Sequence, residues 1–139
     1  MGEHEGESLE LTLLVLRRMS AQRHQLARAM TGRSGQTPEG VWWELVDASA
    51  AADLPPSGVA LTCIGPGGRV TVAALGVPNP GSTSEYSELL RALLAALRRQ
   101  AADEVIVCSA DRHVVEALLE VGFGHAPHDG SDDCYLTAL

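Results

Sequence analysis

The sequence contains no lysine: all ten of its basic residues are arginine, and 18 acidic residues outnumber them. The formal net charge is therefore −8 at pH 7. Nucleic acids and anionic membranes both favour a basic protein surface. We therefore expect neither as a partner.

Long apolar runs and a basic leader are also missing. The apolar run nearest the start, Leu13 to Leu16, is far too short to cross a bilayer. Glu3, Glu5 and Glu7 put acid where the basic region of a secretory signal would lie. We expect no signal peptide and a cytoplasmic protein.

Cysteine is scarce, and its three positions form no C-x-x-C pattern. Cys63, Cys108 and Cys134 are odd in number and lie in or beside apolar strand patterns. Paired cysteines in metal or redox motifs have closer and more regular spacings. The pattern predicts three reduced cysteines, as is usual in the cytoplasm.

What the chain does have is enough apolar material for one core. Its 139 residues are 45% hydrophobic, which predicts a single domain spanning residues 1–139. The segments follow the order β-α-β-β-β-α-β-α-β, which predicts an α/β (α+β) fold with a mixed sheet. Strands are predicted at 9–16, 41–47, 59–64, 69–75, 104–109 and 134–139, and helices at 20–30, from the stretch 77–90 to 99, and at 111–121.

The second half of the chain carries a resemblance to a known family. "DRHVVEALLEVGF" (Asp111 to Phe123) has the spacing of N-x-x-A-x-x-L-Y-x-x-x-G-F, and with the element order it resembles the GNAT acetyltransferase superfamily. Asp111 stands at the family's Asn, and Leu118 stands at its Tyr. The resemblance implies acyl transfer from acetyl-CoA or another acyl-CoA to an amine, with a small-molecule amine or a protein as partner.

The same resemblance implies a cofactor loop before the long helix, where "VPNPGSTSEYSELL" departs from the family pattern. Gly81 falls on the family's Arg/Gln, and Ser82, Ser84 and Tyr86 fall on its three glycines. The implied acyl-CoA contacts are Leu75, Val77, Gly81, Ser82, Thr83, Ser84, Glu85, Tyr86 and Asp111.

Two features of this loop predict weak cofactor binding. Ser82-x-x-Glu85 is a capping-box pattern, in which side chains take the N–H groups that a phosphate would need. Glu85 and Glu88 would also repel a diphosphate at the helix N-terminus. We therefore predict that acyl transfer is weakened or lost, and that the protein binds no cofactor or binds acyl-CoA weakly.

Catalytic groups are few. Glu44 is the best-placed acid for a general base, because strand alternation puts it beside Trp42 on one face. The competing interpretation is a solvent-facing Glu on an edge strand. Trp42 and Trp43 point to opposite faces, so one is expected in the core and the other in a groove or at an interface.

The stretch "HAPHDGSDDC" (His125 to Cys134) gathers potential metal ligands without a recognised spacing. Pro127 and Gly130 indicate a solvated acidic turn, so we predict no metal site. Two alternatives to an enzyme remain open. One is a partner-switching regulator of the anti-sigma-antagonist (STAS) type, with Ser82, Thr83 or Ser84 as its phosphorylated residue. The other is a binding or dimerisation module, which would include a homodimer.

Overall fold

One mixed β-sheet, with helices on both faces, organises the chain. The computed structural model describes residues 14–32, 40–48, 54–127 and 133–139. The strands are β1 (Leu14–Arg18), β2 (Val41–Asp47), β3 (Gly58–Ile64), β4 (Arg69–Gly76), β5 (Glu104–Cys108), β6 (Gly124–His125) and β7 (Cys134–Ala138). The helices are α1 (His24–Thr31), α2 (Thr83–Arg99) and α3 (Arg112–Glu120), with short 3₁₀ turns at Ala21–Arg23 and Pro66–Gly68.

The sheet runs in the order β1-β2-β3-β4-β5-β7-β6. Its neighbours are antiparallel except for β4 and β5, which are parallel and joined by α2. That crossover has the length expected of a βαβ unit. The predicted α/β class, the mixed sheet and the parallel β4–β5 pair are confirmed.

Most of the element positions match the sequence patterns. The long helix α2 begins at Thr83 with Ser82 as N-cap, and α3 begins after the N-cap Asp111. Ser20, in contrast, makes no capping hydrogen bond through its side chain, and a 3₁₀ turn lies between it and α1. The two-residue strand β6 was not predicted, and residues 9–13 of the first predicted strand lie outside the described part.

The two faces of the sheet bury separate sets of apolar side chains. The larger core contains Trp43 and Leu45 of β2 packed with the apolar stripes of α2 and α3. The smaller core contains Trp42 with Met19, Ala27, Val59 and Leu61, under α1. Both indoles are therefore buried, at 4% and 5% exposure, and the expectation that one lines a surface groove is wrong.

Strand β4 contains a bulge close to the point where its pairing with β5 ends. The register between β3 and β4 shifts between Leu61 and Thr62, so that Ala73 is an extra residue in β4. A bulge of this kind bends the strand that contains it. The pairing of β4 with β5 ends at Val72, opposite Val107, whereas β4 itself continues to Gly76. The two parallel strands therefore separate just after the bulge.

Candidate functional site

The separation of β4 and β5 leaves a cavity of about 340 Å³, which we call the cleft. Its walls come from the ends of both strands, from the end of α1 and from the first turns of α2 and α3. The residues that line it are Met30, Thr31, Val72, Ala73, Ala74, Leu75, Pro80, Tyr86, Val107, Cys108, Ser109, Asp111 and Val114. It therefore lies at the carboxyl ends of the two parallel strands, where open α/β sheets place their ligands.

The end of α1, which forms one wall of the cleft, packs closely against the backbone of β4. A Cβ atom at Gly76 would lie 2.7 Å from the carbonyl oxygen of Met30, so only glycine allows α1 to approach β4 this closely. Gly32 ends α1 in the left-handed conformation, at φ 69°. These two glycines fix where the end of the helix meets the cleft.

The turn before α2 satisfies most of its own backbone donors; we call residues 79–86 the α2 turn. Ser82 Oγ accepts from the Glu85 N–H at 3.2 Å, and Glu85 Oε1 accepts from the Asn79 N–H at 3.2 Å. Asn79 in turn accepts from the N–H groups of Gly81, through Oδ1, and of Ser82, through its carbonyl. The cap by Ser82 is confirmed, although Glu85 reaches Asn79 rather than Ser82.

Little donor capacity remains in the α2 turn. The Tyr86 N–H is directed to the Ser82 carbonyl oxygen at 3.4 Å. Within the described chain, only the N–H groups of Thr83 and Ser84 in this turn have no hydrogen-bond partner assigned. The nearest arginine along α2, Arg91, forms an ion pair with Glu120 of α3 at 3.2 Å.

Side chains also join the N-terminal ends of α2 and α3. Thr83 Oγ1 donates to Glu116 Oε1 at 3.3 Å and lies 3.4 Å from His113 Nδ1. Asp111 caps α3 by accepting from the N–H groups of His113 and Val114. The predicted contact residue Thr83 is thus held against α3.

Tyr86 is the buried titratable group of the cleft wall. Tyr86 is 5% exposed and belongs to the larger core. Burial raises the pKa of its phenol above the ordinary 10.0, and the negative charges of Asp111 and Glu85 raise this pKa further. The phenol is therefore protonated throughout the neutral range.

The predicted site residues divide between three places. Leu75, Tyr86 and Asp111 line the cleft, Gly81 to Glu85 lie in the α2 turn, and Val77 is buried in the larger core. Sequence patterns did not indicate the contribution of Met30, Thr31, Cys108 and Ser109 to the cleft. The fold brings them there from α1 and β5, and no local sequence signal could have indicated this.

Glu44 lies elsewhere, on β2, and does not line the cleft. Its residue is 1% exposed, so the interpretation as a solvent-facing Glu on an edge strand is wrong. Arg17 Nε lies 3.1 Å from Oε2, and Arg23 Nη2 lies 2.8 Å from Oε1. The two guanidinium groups occupy both oxygens of this carboxylate.

The cysteines differ from expectation. Cys108 of β5 and Cys134 of β7 form a disulfide, so the prediction that all three are reduced is wrong for this pair. Cys63 of β3 is half-buried and is not part of it. The two bonded residues lie directly opposite each other in an antiparallel register, which the sequence did not reveal.

The acidic stretch contains described and undescribed residues. His125 packs its ring edge against Tyr135, with ring centroids 5.4 Å apart, and Cys134 is in the disulfide. His128, Asp129 and Asp132 lie outside the described residues. Among the residues that are described, no group of three or more His, Cys, Asp or Glu side chains could hold a metal. In the same residues, no helix is both long and apolar enough to cross a membrane.

Solved structures share this architecture. The ribosomal-protein-S18-alanine N-acetyltransferase of Escherichia coli is 15% identical, with 91% of this chain and 93% of that chain covered at a TM-score of 0.62. An IAA acetyltransferase of Bacillus cereus is 12% identical, with 91% and 100% covered at 0.67. A Bacillus subtilis acetyltransferase in complex with CoA is 13% identical, with 91% and 98% covered at 0.61.

The chain has the GNAT acetyltransferase fold. No family model matches the sequence, and no curated protein matches it either. At these identities the likeness extends to the GNAT fold alone, so any activity has to be argued from the residues present.

The residues fit one part of an acyl-CoA and not the other. The cleft, bounded by β4 and β5 where their pairing has ended, has room for an extended arm of the ligand. The α2 turn does not fit a diphosphate, because its donors are mostly taken and a carboxylate lies among them.

Proposed function

We propose that this protein is a GNAT-fold protein that binds acyl-CoA weakly and has a weakened or lost N-acyltransferase activity. The cleft supports the first part of the proposal, because it lies between the separated ends of β4 and β5. A bound acyl-CoA would supply a thioester that an amine can attack. Leu75 and Tyr86, which both line the cleft, would contact its extended arm.

The observation that carries the proposal is the internal hydrogen bonding of the α2 turn. The Asn79, Gly81 and Glu85 N–H groups already have side-chain acceptors. A phosphate oxygen would have to replace those acceptors, and so would gain little over the contacts already present.

Two negative charges near the start of α2 also oppose the binding of a diphosphate. Glu85 lies within the α2 turn, and Glu88 is exposed one turn further along α2. Each carboxylate near a diphosphate costs about 1 kcal/mol through partly screened repulsion. The two together weaken binding roughly ten- to thirtyfold.

Neither Glu44, the candidate base, nor Leu118, which stands at the family's Tyr, is placed to transfer a proton in the cleft. Leu118 is fully buried in the larger core and has no proton to donate. The oxygens of Glu44 are occupied by Arg17 and Arg23. A general base or acid must be within hydrogen-bond reach of the reacting group, and these two residues do not line the cleft.

Calorimetry with acetyl-CoA tests the proposal. The unmodified protein should bind weakly or not at all, whereas the triple variant Gly81→Arg, Ser82→Gly, Ser84→Gly should bind more than about tenfold more tightly through freed and charge-assisted contacts. Adding Glu85→Gln should tighten binding further. The control is Glu88→Gln, which removes the same charge without touching a hydrogen bond of the turn, and its effect should be smaller. Micromolar binding by the unmodified protein would contradict the proposal.

A further inference from the structure

The disulfide lies at the wall of the cleft. Cys108 is the last residue of β5 and lines the cleft. Cys134 is the first residue of β7, the strand that pairs with β5. The Ser109 N–H donates to the Asp133 carbonyl at 2.8 Å, so Cys108 and Cys134 form the adjacent non-hydrogen-bonded pair. Side chains approach each other most closely at such pairs, which is why these two sulfurs can be joined.

The two bonded residues differ in how exposed they are. Cys108 is an exposed residue, whereas Cys134 is 1% exposed. Thiol–disulfide exchange requires an attacking thiolate to reach one sulfur, and access decides which sulfur it reaches. A small thiol in the cleft therefore meets Cys108 first.

We propose that Cys108 is a thiol-exchange site at which a low-molecular-weight thiol in the cleft opens the Cys108–Cys134 disulfide. The incoming thiolate forms a new S–S bond with Cys108 Sγ. The Cys108–Cys134 bond breaks, and Cys134 leaves as a thiolate that takes a proton from water. The cysteines and the thiol exchange partners without net oxidation, so no further oxidant is needed.

The reverse step restores the starting state. Cys134, held opposite Cys108 by the β5–β7 register, attacks the mixed disulfide and expels the small thiol. The buried cysteine is thus the resolving residue, and the exposed one carries the adduct. This inference goes beyond the proposed function, because thiols without a diphosphate can undergo the same exchange.

Single-cysteine variants test which sulfur carries the adduct. In a Cys63→Ala background, Cys134→Ser leaves only Cys108 and Cys108→Ser leaves only Cys134. After reduction and removal of the reductant, each variant is treated with cystamine, oxidised glutathione or CoA disulfide, and the adduct is followed by intact-protein mass. Cys108 should react at least about tenfold faster than Cys134. Equal rates, or faster reaction at Cys134, would overturn the proposal.

A further variant separates exchange in the cleft from reaction at any exposed cysteine. Ala74→Leu adds volume to the cleft wall without changing Cys108. In the Cys108-only protein it should slow adduct formation several-fold while circular dichroism shows an unchanged fold, and an unchanged rate would overturn the role of the cleft. The order of the three disulfides then identifies the source of the thiol: cystamine fastest indicates a small aminothiol, glutathione a tripeptide thiol, and CoA disulfide the cofactor.

The oxidised wild-type protein gives an independent check. Incubation with excess cysteamine, followed by acid quenching, should trap a mixed disulfide that peptide mapping assigns to Cys108. A protein that keeps its disulfide intact under these conditions, or that carries the adduct only on Cys134, would overturn the proposal.

Discussion

The β1–β2 end of the sheet and the cleft at its β4–β5 junction both contain groups capable of chemistry, and they differ in whether a ligand can reach those groups. At the first, Glu44 is enclosed with two arginines that take both of its oxygens. At the second, the strands separate, and Tyr86 and Cys108 border a cavity. A reactive residue type can act on a ligand only where the ligand can reach it.

The α2 turn resembles the first region although it adjoins the second. It sits beside the cleft, but in the described chain most of its backbone donors are taken by acceptors within the turn, and only the N–H groups of Thr83 and Ser84 are not. The GNAT fold is therefore present with a cleft between β4 and β5, next to a turn whose backbone donors are mostly taken.

The largest effect on stability is expected from removing the buried carboxylate of Glu44 at the β1–β2 end of the sheet. Glu44→Ala removes a buried carboxylate and leaves Arg23, whose side chain is 15% exposed, without that partner. We expect a loss of about 3–5 kcal/mol in the free energy of unfolding, measured by urea denaturation.

Arg17→Ala is the matched control, because the Arg17 side chain is 48% exposed and its loss should cost about 1 kcal/mol or less. If Glu44→Ala left stability unchanged but abolished turnover of an acyl-CoA, the interpretation of Glu44 as a catalytic base would replace the structural one.

Whether the sequence could predict a feature of these two regions depends on how far apart along the chain the residues that form the feature lie. The Ser82 cap, the α2 stripe and the parallel β4–β5 pair follow from patterns within a few residues or one crossover, and they are confirmed. The arginine partners of Glu44 lie 21 and 27 residues away in the chain. The disulfide depends on the β5–β7 register, which alternation alone does not fix.

A smaller effect is expected at the α2 turn. Ser82→Ala removes the side-chain acceptor of the Glu85 N–H and should cost about 1 kcal/mol of stability. The freed donor should at the same time tighten acetyl-CoA binding a few-fold, so stability and affinity move in opposite directions. Thermal denaturation and calorimetry measure the two effects.

Ser84→Ala is the control for this prediction. Ser84 is exposed, and its Oγ contacts Ser82 Oγ at 3.1 Å without capping a backbone donor. It should change neither quantity appreciably. A Ser82→Ala variant with lower stability and unchanged affinity would show that the freed N–H is not accessible to a ligand.

The smallest effect is a change in stability at alkaline pH, and it tests how closely Tyr86 joins the cleft to the α2 turn. Burial, Asp111 and Glu85 raise the pKa of the folded phenol above the 10.0 of the unfolded chain. The folded protein then holds a proton that the unfolded chain has lost, so raising the pH favours unfolding. This contribution to stability is complete below pH 10 and disappears as the pH rises through the folded pKa.

Urea denaturation across this range should therefore show the wild type losing stability relative to Tyr86→Phe, which cannot ionise. Asp111→Asn preserves a capping side chain for α3 while removing one of the charges, so it should reduce the difference. Parallel stability curves for wild type and Tyr86→Phe would mean that the phenol ionises as in water, and Tyr86 would then not be enclosed between the cleft and the turn.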